Sequence, residues 1–203
     1  MTSAIIVAMH PISMKGAIYV VVLAIIAAGI PCARAQSREI NVEKSVLTVR
    51  VYKTGLFSAF AHDHEIHAPI QSGSFDEQKR TVEFKVKSAD LKVIDPGVSQ
   101  GDRDQVQETM VGPKVLDTAH FPEIAFHSTS IETKGPDQWS VQGELSLHGQ
   151  THPVSVEVSG ANGHYRGSAR FRQTEFGITP VSIAGGSIKV KDEVKIEFDI
   201  VGR

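Results

Sequence analysis

After residue 35 the chain contains no cysteine, because its one cysteine is Cys32. Disulfide bonds and thiol chemistry are therefore excluded from residues 36–203. An excess of positive charge is missing as well. Of the 21 basic residues, Lys15 and Arg34 precede residue 36, so 19 basic and 23 acidic residues remain. This balance gives no basic face, which argues against nucleic acid as a partner. No apolar run after residue 35 is long enough to span a membrane.

The usual motifs of catalysis are also missing from the sequence. No serine lies in a Gly-x-Ser-x-Gly setting, and no glycine-rich phosphate loop precedes a helix. The neighbouring acids Asp102 and Asp104 have a simpler role as negative charge at the start of a helix. We therefore expect a protein that is not an enzyme.

The first 35 residues have the features of an export signal. Lys15 precedes an apolar run over residues 16–30, and the small residues Ala33 and Ala35 follow. These features predict cleavage after Ala35, a single mature domain over 36–203, and a periplasmic or secreted protein. The alternative is a retained membrane anchor, but the run is shorter than the ~20 apolar residues that a spanning helix needs.

Alternation of apolar and polar residues dominates the rest of the chain. In the segment from Thr81 to Ser88, Val82, Phe84 and Val86 point one way and the polar residues point the other. Repeats of this pattern predict about eight strands, joined by gaps too short for crossover helices. We therefore expect an all-β, antiparallel, lipocalin-like barrel of about eight strands. An open sandwich is the second choice.

Several local departures from this alternation have their own interpretations. Residues 101–111 predict a short helical insertion that ends at Gly112-Pro113. Residues 72–74 allow a bend, and Asn162-Gly163 predicts a hairpin turn. Small residues at inward positions would leave space for an apolar cavity, which is the usual form of a small-molecule site. These residues are Ala68, Gly143, Gly167 and Ala169.

Aromatic and branched side chains on the apolar faces are the candidate ligand contacts, although a packed core is the simpler role for most of them. Two phenylalanines lie in an irregular segment after the first strand. With the two histidines that follow, the predicted ligand-binding set is Phe57, Phe60, His62, His64, Val82, Phe84, Val86, Phe126, Val156, Phe171 and Phe176.

The densest group of polar chemistry is the run from His62 to His67. In a strand, His62 and His64 project to one side, which is half of a metal site. Completing such a site needs ligands from elsewhere in the chain. The candidates are His120, His127, His148 and His152. The alternative is that these histidines form hydrogen bonds at the mouth of the barrel.

A series of short motifs, spread over residues 41–203, resembles the YceI-like family of exported lipid-binding proteins. Two of the motifs, Phe-Pro-x-Ile-x-Phe and Gly-x-Leu-x-Leu-His-Gly, are fairly specific. In chain order the motifs are Gly73-Ser74-Phe75, Arg103-Asp104, Leu116-Asp117, Phe121-Pro122-Glu123-Ile124-Ala125-Phe126, Gly143-Glu144-Leu145-Ser146-Leu147-His148-Gly149 and Phe176-Gly177-Ile178. The extra histidines at His62 and His64 depart from the family pattern.

The resemblance implies a periplasmic protein whose tunnel holds a polyisoprenoid or an isoprenoid quinone. Our first hypothesis is therefore a carrier of such an amphiphile, with His62 and His64 near its head group. The second is a metal-binding protein or metal-dependent enzyme of the cell envelope that uses the same two histidines. The third is an interaction domain with a filled core. The sequence allows a homodimer.

Overall fold

Strands form over most of the chain that the computed structural model describes, which is residues 37–55 and 63–203. The predicted signal segment, residues 1–35, lies outside these ranges. The strands in chain order are β1 (Arg38–Glu39), β2 (Val46–Thr54), β3 (His64–His67), β4 (Ile70–Asp76), β5 (Thr81–Lys87), β6 (Lys92–Val93), β7 (Glu123–Gly135), β8 (Gln138–Leu147), β9 (Gln150–Ala161), β10 (His164–Arg172), β11 (Ser182–Ile183) and β12 (Ile188–Val201).

The described strands form one antiparallel sheet that curls over its apolar face. Eleven strands follow the order β1-β4-β5-β7-β8-β9-β10-β12-β2-β3-β6, and β11 pairs with β12 beside this path. The all-β antiparallel prediction is confirmed, but the count of about eight strands is wrong. Three of the additional strands, β1, β6 and β11, have only two residues each. A segment of that length is too short to show a period of two.

One continuous stretch, residues 64–76, connects the two halves of the sheet. Its first part, β3, pairs with β2, and the backbone N–H of Ala68 donates to the carbonyl of Leu47 at 2.9 Å. Its second part, β4, pairs with β5 from Ile70 onward. Strands β2 and β5 are far apart in the sheet order, so the sheet must curl for one stretch to reach both.

Residues 72–74, which the sequence allows to bend, belong to strand β4, and the pairing with β5 shifts register just before them, between Ile70 and Ser72. Gly73 pairs with Phe84 of β5 in regular register. A β-carbon at Gly73 would lie 2.7 Å from both Ile40 Cδ1 and Phe84 Cβ. The glycine therefore lets Ile40, whose N–H donates to the Gly73 carbonyl at 2.9 Å, cross the sheet at close range.

The hairpin predicted at Asn162-Gly163 is confirmed. Both residues have positive φ, 56° and 83°, as a two-residue type I′ connection between β9 and β10 requires. His148 and Gly149, with φ of 51° and 73°, make the equivalent turn between β8 and β9. These two turns set the register of three long consecutive strands, so the inward residues of β8, β9 and β10 fall on one face.

The helix α1 (Gln100–Val111) is the α-helix of the described chain, and it begins one residue before the predicted start. Ser99 caps it by accepting the backbone N–H of Asp102 at 3.2 Å. Gln107 fixes the helix to the sheet. Its Oε1 accepts the N–H of Val93 at 2.9 Å, and its Nε2 donates to the Leu91 carbonyl at 2.8 Å.

The outer face of the sheet is polar and carries ion pairs between neighbouring strands. Arg50 of β2 contacts Glu65 of β3 at 2.7 Å and Glu197 of β12 at 2.5 Å. Arg50 donates to both carboxylates, and these hydrogen bonds raise its pKa, the one to Glu197 having the larger effect. The pKa of Glu197 is lowered by Arg50 and by Lys195. Partly exposed pairs of this kind contribute roughly 0.2–1 kcal/mol each. The polar positions of the alternation therefore keep this face in water.

Two of the four small inward residues do not leave the empty space that the sequence predicts. A β-carbon at Gly143 would overlap the ring of Phe126, and one at Gly167 would lie 2.5 Å from Phe198 Cζ. These glycines make room for aromatic rings instead. Ala68 is buried in the core at 2% exposure. Within the described ranges, no helix has the length and apolarity needed to cross a bilayer.

We predict that Gly143→Ala lowers the free energy of unfolding by about 1–3 kcal/mol, the usual cost of overpacking a core. The reason is that the added methyl meets the Phe126 ring and the His127 carbonyl. Gly101→Ala in α1 is the matched control, because nothing lies within 4 Å of its β-carbon position. It should leave stability equal or raise it by up to ~1 kcal/mol. Urea denaturation measures both, and equal effects would refute the packing role of Gly143.

Candidate ligand cavity

The apolar face of the curled sheet surrounds a cavity of about 350 Å³. This volume lies within the roughly 300–1,000 Å³ that small-molecule sites occupy. Most of the lining side chains are aliphatic or aromatic. The lining comprises Ile40, Leu47, Phe75, Asp76, Glu77, Arg80, Thr81, Val82, Phe84, Phe126, Ile131, Trp139, Val141, Leu145, Val154, Val156, Val158, Ala161, Asn162, Tyr165, Ala169, Phe171, Ile196, Phe198 and Ile200.

The lining follows directly from period-two alternation in the long strands. Alternate residues of β9, from Val154 to Val158, enter the cavity, and so do alternate residues of β12, from Ile196 to Ile200. Ala169 of β10 pairs with both Val156 and Ile196. Its short side chain leaves space between the two larger neighbours, so it is the one small residue of the predicted four that lines the cavity.

The structure brings together five of the predicted ligand contacts. Val82, Phe84, Phe126, Val156 and Phe171 all line the cavity. They come from β5, β7, β9 and β10, four of the five strands in the consecutive series β5-β7-β8-β9-β10 of the sheet. The rings of Phe84 and Phe126 stack with centroids 5.5 Å apart, and they form one wall of the cavity.

The remaining predicted contacts lie elsewhere or outside the described residues. Val86 and Phe176 are 1% and 0% exposed and belong to the packed core, beyond the cavity lining. The ring of Phe176 packs edge-on against Phe171, with centroids 5.1 Å apart, and so supports a lining residue from behind. Phe57, Phe60 and His62 lie outside the residues that the structure describes.

His64 is in the described chain but does not line the cavity. It pairs in register with Val51 of β2, and its Nδ1 lies 2.7 Å from Asp95 Oδ2. Asp95 is 2% exposed, and its second oxygen accepts the backbone N–H of Glu65 at 2.6 Å. The imidazole therefore fixes the loop after β6 to strand β3.

The other metal-ligand candidates do not gather around His64. His120 contacts Asp117, and His127 contacts Glu144. His148 lies against the Phe121 ring and within 3.1 Å of the Phe176 carbonyl, while His152 contacts Gln150. Among residues 37–55 and 63–203, no three histidine, aspartate or glutamate side chains are grouped so that they could hold a metal ion.

One end of the cavity has a polar mouth, made by the turn between β4 and β5 and the turn between β9 and β10. Asp76, Glu77 and Arg80 come from the β4–β5 turn, where Arg80 has φ of 55°. Asn162 comes from the β9–β10 turn, and Tyr165 lies just after it. One feature of the sequence could have indicated this mouth, which is that both polar turns directly follow an inward-facing apolar residue.

Tyr165 connects the two sides of this mouth. Its hydroxyl donates to Glu77 Oε1 at 2.8 Å, and its ring packs edge-on against Phe75 with centroids 5.5 Å apart. Burial and the neighbouring Glu77 carboxylate raise the pKa of Tyr165 to about 12. Residues 77 and 165 are distant in the sequence, so this hydrogen bond exists only when the sheet is curled.

Asp76 is the most enclosed polar side chain at the mouth, at 4% exposure. Its Oδ1 accepts the backbone N–H groups of Gln78 at 3.0 Å and Lys79 at 2.8 Å. Its Oδ2 makes no hydrogen bond with the described residues, and the Lys79 ammonium lies 3.4 Å from it. The hydrogen bond from the Lys79 backbone is the main reason that the pKa of Asp76 is lowered. The carboxylate is therefore held within its own turn by two backbone hydrogen bonds and by the ion pair with Lys79.

Comparison with known proteins defines the class. The family model described as a YceI-like domain matches residues 39–202. The chain therefore belongs to the YceI-like family, as the motifs indicated.

Individual relatives are distant in sequence. A UPF0312 protein of Vibrio cholerae is 25% identical over 134 residues, covering 61% of this chain and 67% of that protein. A UPF0312 protein of Shewanella denitrificans is 35% identical over 92 residues, covering 40% and 48%. Among solved structures, Burkholderia cenocepacia BcnA matches with a TM-score of 0.61 at 19% identity, covering 81% of this chain and 99% of BcnA. That likeness supports the fold.

We predict that the Tyr165 phenol titrates at about pH 12 in the folded protein. Subtracting the absorbance titration of Tyr165→Phe from that of the wild type isolates this group, if each reading is taken within seconds of a pH jump. Because the pKa is raised on folding, the stabilisation by the neutral phenol is complete below pH 10 and is lost as the pH rises through 12.

Glu77→Gln tests the cause of this shift. The variant keeps an acceptor oxygen but removes the negative charge, so the pKa of Tyr165 should fall below 12 while burial, the larger cause, keeps it above its ordinary value. A wild-type midpoint near 10 would contradict the contact between Tyr165 and Glu77.

Proposed function

We propose that this protein binds the tail of an isoprenoid amphiphile in the cavity and carries it in the periplasm without a catalytic step. The observation that carries the proposal is the cavity itself, an apolar volume of about 350 Å³ with polar groups only at its mouth. Burial of an apolar chain contributes ~0.8 kcal/mol for each CH₂ removed from water. A tail of ten or more carbons would therefore be held firmly even if part of it stayed exposed.

Three further observations support an isoprenoid rather than another apolar ligand. Three successive inward residues of β9 and three of β12 line the cavity, so an extended chain could lie along these strands. Its walls combine branched aliphatic side chains with the stacked rings of Phe84 and Phe126, which match a branched, unsaturated tail. The chain also belongs to the YceI-like family, for which the ligand that we expect is an isoprenoid. The predicted signal segment supports the periplasmic location.

The metal-binding hypothesis has less support. Its one described residue, His64, is already paired with Asp95, and no grouped ligands accompany it in the described ranges. A histidine held by a carboxylate is common next to metals, so elemental analysis of the purified protein remains a direct test. Stoichiometric metal that is lost in His64→Ala would favour this second function.

The binding proposal predicts that filling the cavity abolishes uptake. Ala169→Trp places an indole between Val156 and Ile196, so we expect farnesol binding to fall at least tenfold. Ser168→Trp is the matched control, since it adds the same side chain at the next residue of β10, outside the lining. Isothermal titration with farnesol delivered from cyclodextrin measures both. Equal affinity in the two variants, with both folded by circular dichroism, would place the ligand outside this cavity.

A further inference from the structure

Two exposed arginines lie at the mouth of the cavity, one from each side of the β1–β4–β5 end of the sheet. Arg80 ends the turn between β4 and β5, lines the cavity and is exposed to solvent. Arg38 of β1 is also exposed, and it pairs in register with Phe75, which lines the cavity. Because paired residues of neighbouring strands project to the same face, Arg38 lies on the cavity side of the sheet, at its rim.

The guanidinium of Arg38 is placed by neighbours that have no side chain. A β-carbon at Gly163 would lie 2.5 Å from Arg38 Nη1, and one at Gly202 would lie 3.5 Å from Arg38 Cδ. The Arg38 side chain therefore lies against the β9–β10 turn, which also supplies Asn162 to the cavity lining. Burial is the main reason that the pKa of Tyr165 is raised, and the positive charge of Arg38 acts on that pKa in the opposite direction. The charge of Arg38 is therefore felt at the mouth.

These two arginines differ from most others in having no partner. Four arginines of the described chain each contact a carboxylate at 3.3 Å or less, and these are Arg50, Arg166, Arg170 and Arg203. The side chains of Arg38 and Arg80 make no hydrogen bond or ion pair with any residue that the structure describes. A guanidinium has five N–H donors and no acceptor. The mouth therefore presents two sets of unused, positively charged donors.

The acids that line the same mouth already have partners. Asp76 accepts two backbone N–H groups of its own turn and lies 3.4 Å from the Lys79 ammonium. Glu77 accepts the Tyr165 hydroxyl at 2.8 Å. The two guanidinium groups remain unpaired beside them, and the partner that they lack is an anion.

Phosphate is the anion that matches this arrangement best. The planar guanidinium donates parallel N–H bonds to phosphate, and charge-assisted bonds of this kind are about twice as strong as neutral ones. A phosphate monoester offers three strong acceptor oxygens, so it can bond two arginines at once. A hydroxyl or a quinone carbonyl accepts an ordinary hydrogen bond and brings no charge. An amphiphile whose tail fills the cavity therefore gains most at this mouth from a phosphate head.

We propose that Arg38 and Arg80 are the specificity-determining residues of the cavity, selecting isoprenoids that carry a phosphate over isoprenoids whose head is uncharged. The selected class is the isoprenyl phosphates. This inference rests on the proposed function, because it concerns the head of the molecule whose tail the cavity holds.

A matched pair of ligands tests the preference in the wild-type chain. Farnesyl phosphate and farnesol have the same tail and differ only in the head group. In isothermal titration at low ionic strength, with both ligands delivered from cyclodextrin, we expect the phosphate to bind at least tenfold more tightly. At an ionic strength of about 1 M, where the screening length is about 3 Å, this ratio should fall at least threefold.

Inorganic phosphate distinguishes a lipid head from the free ion. In hundredfold excess over the protein it should leave the affinity for farnesyl phosphate within twofold, because it has no tail to bury. Displacement of farnesyl phosphate would mean that the arginines bind the free ion, and would overturn the isoprenoid assignment.

Arg38→Gln and Arg80→Gln assign the preference to these residues. Each variant should lower the ratio between the two ligands at least threefold, and the double variant should lower it to about twofold or less. Farnesol binding should be unchanged, because its head is uncharged. Arg170→Gln is the matched control. It removes the same side chain from β10, where Arg170 pairs with Glu193 at 2.9 Å outside the cavity lining, and it should keep the wild-type ratio.

The outcomes separate this inference from the proposal beneath it. Equal wild-type affinity for farnesyl phosphate and farnesol would overturn the head-group inference and leave tail binding intact. A wild-type ratio that persists in the double variant would overturn the role of the two arginines. Failure of both ligands to bind would overturn both proposals. The wild-type comparison and its dependence on salt need no variant, so a poorly folded variant would not protect the inference.

Discussion

Every feature of the site depends on one constraint, which is that a single stretch of chain pairs with two strands that lie far apart in the sheet. Residues 64–76 pair first with β2 and then with β5, and this forces the sheet to curl over its apolar face. Ile40 adds a second connection, because it hydrogen-bonds to Gly73 and bridges to Gly202. Without these contacts the same alternating strands would lie open, and their apolar residues would face water rather than a cavity.

The curled sheet gives the interior two different regions. The rings of Phe126 and Phe198 line the cavity, and Gly143 and Gly167 let these rings pack closely against the neighbouring strands. Along β9, β10 and β12 the short side chain of Ala169 leaves space between larger residues. The cavity is therefore a region where the close packing of the interior is interrupted, and its neighbours Val86 and Phe176 remain closely packed in the core. The polar residues of the mouth, among them Asp76 and Tyr165, lie at one end of this apolar volume.

Much of the fold could be predicted because it depends on local pattern. Alternation identified the long strands, and Asn162-Gly163 identified a hairpin whose φ angles the structure confirms. The two-residue strands were not predicted from the sequence, because pairing with a neighbouring strand defines them and they are too short to show a period. The role of Gly73 could not be predicted, because a glycine that permits close contact within a strand and a glycine that permits a bend look alike in sequence. Only the approach of Ile40 from a distant segment shows the difference.

The candidate site was less predictable for a related reason. Side chains such as Val82 and Phe84 point inward by strand parity, so their place in the lining follows from sequence. Strand parity does not distinguish inward residues that line the cavity from inward residues that belong to the packed core. Val86 belongs to the packed core. The polar mouth depends on contacts between turns distant in sequence, such as that between Glu77 and Tyr165. No local pattern encodes those contacts.

The most direct test of the account is to identify what the cavity holds in the cell. The protein would be purified without detergent from the cells that produce it. The bound molecules would be measured by native mass spectrometry and then extracted for identification. The account predicts one isoprenoid per chain, displaced when Ala169 is replaced by tryptophan. Protein that is consistently empty, or that carries the same lipid after this replacement, would contradict it.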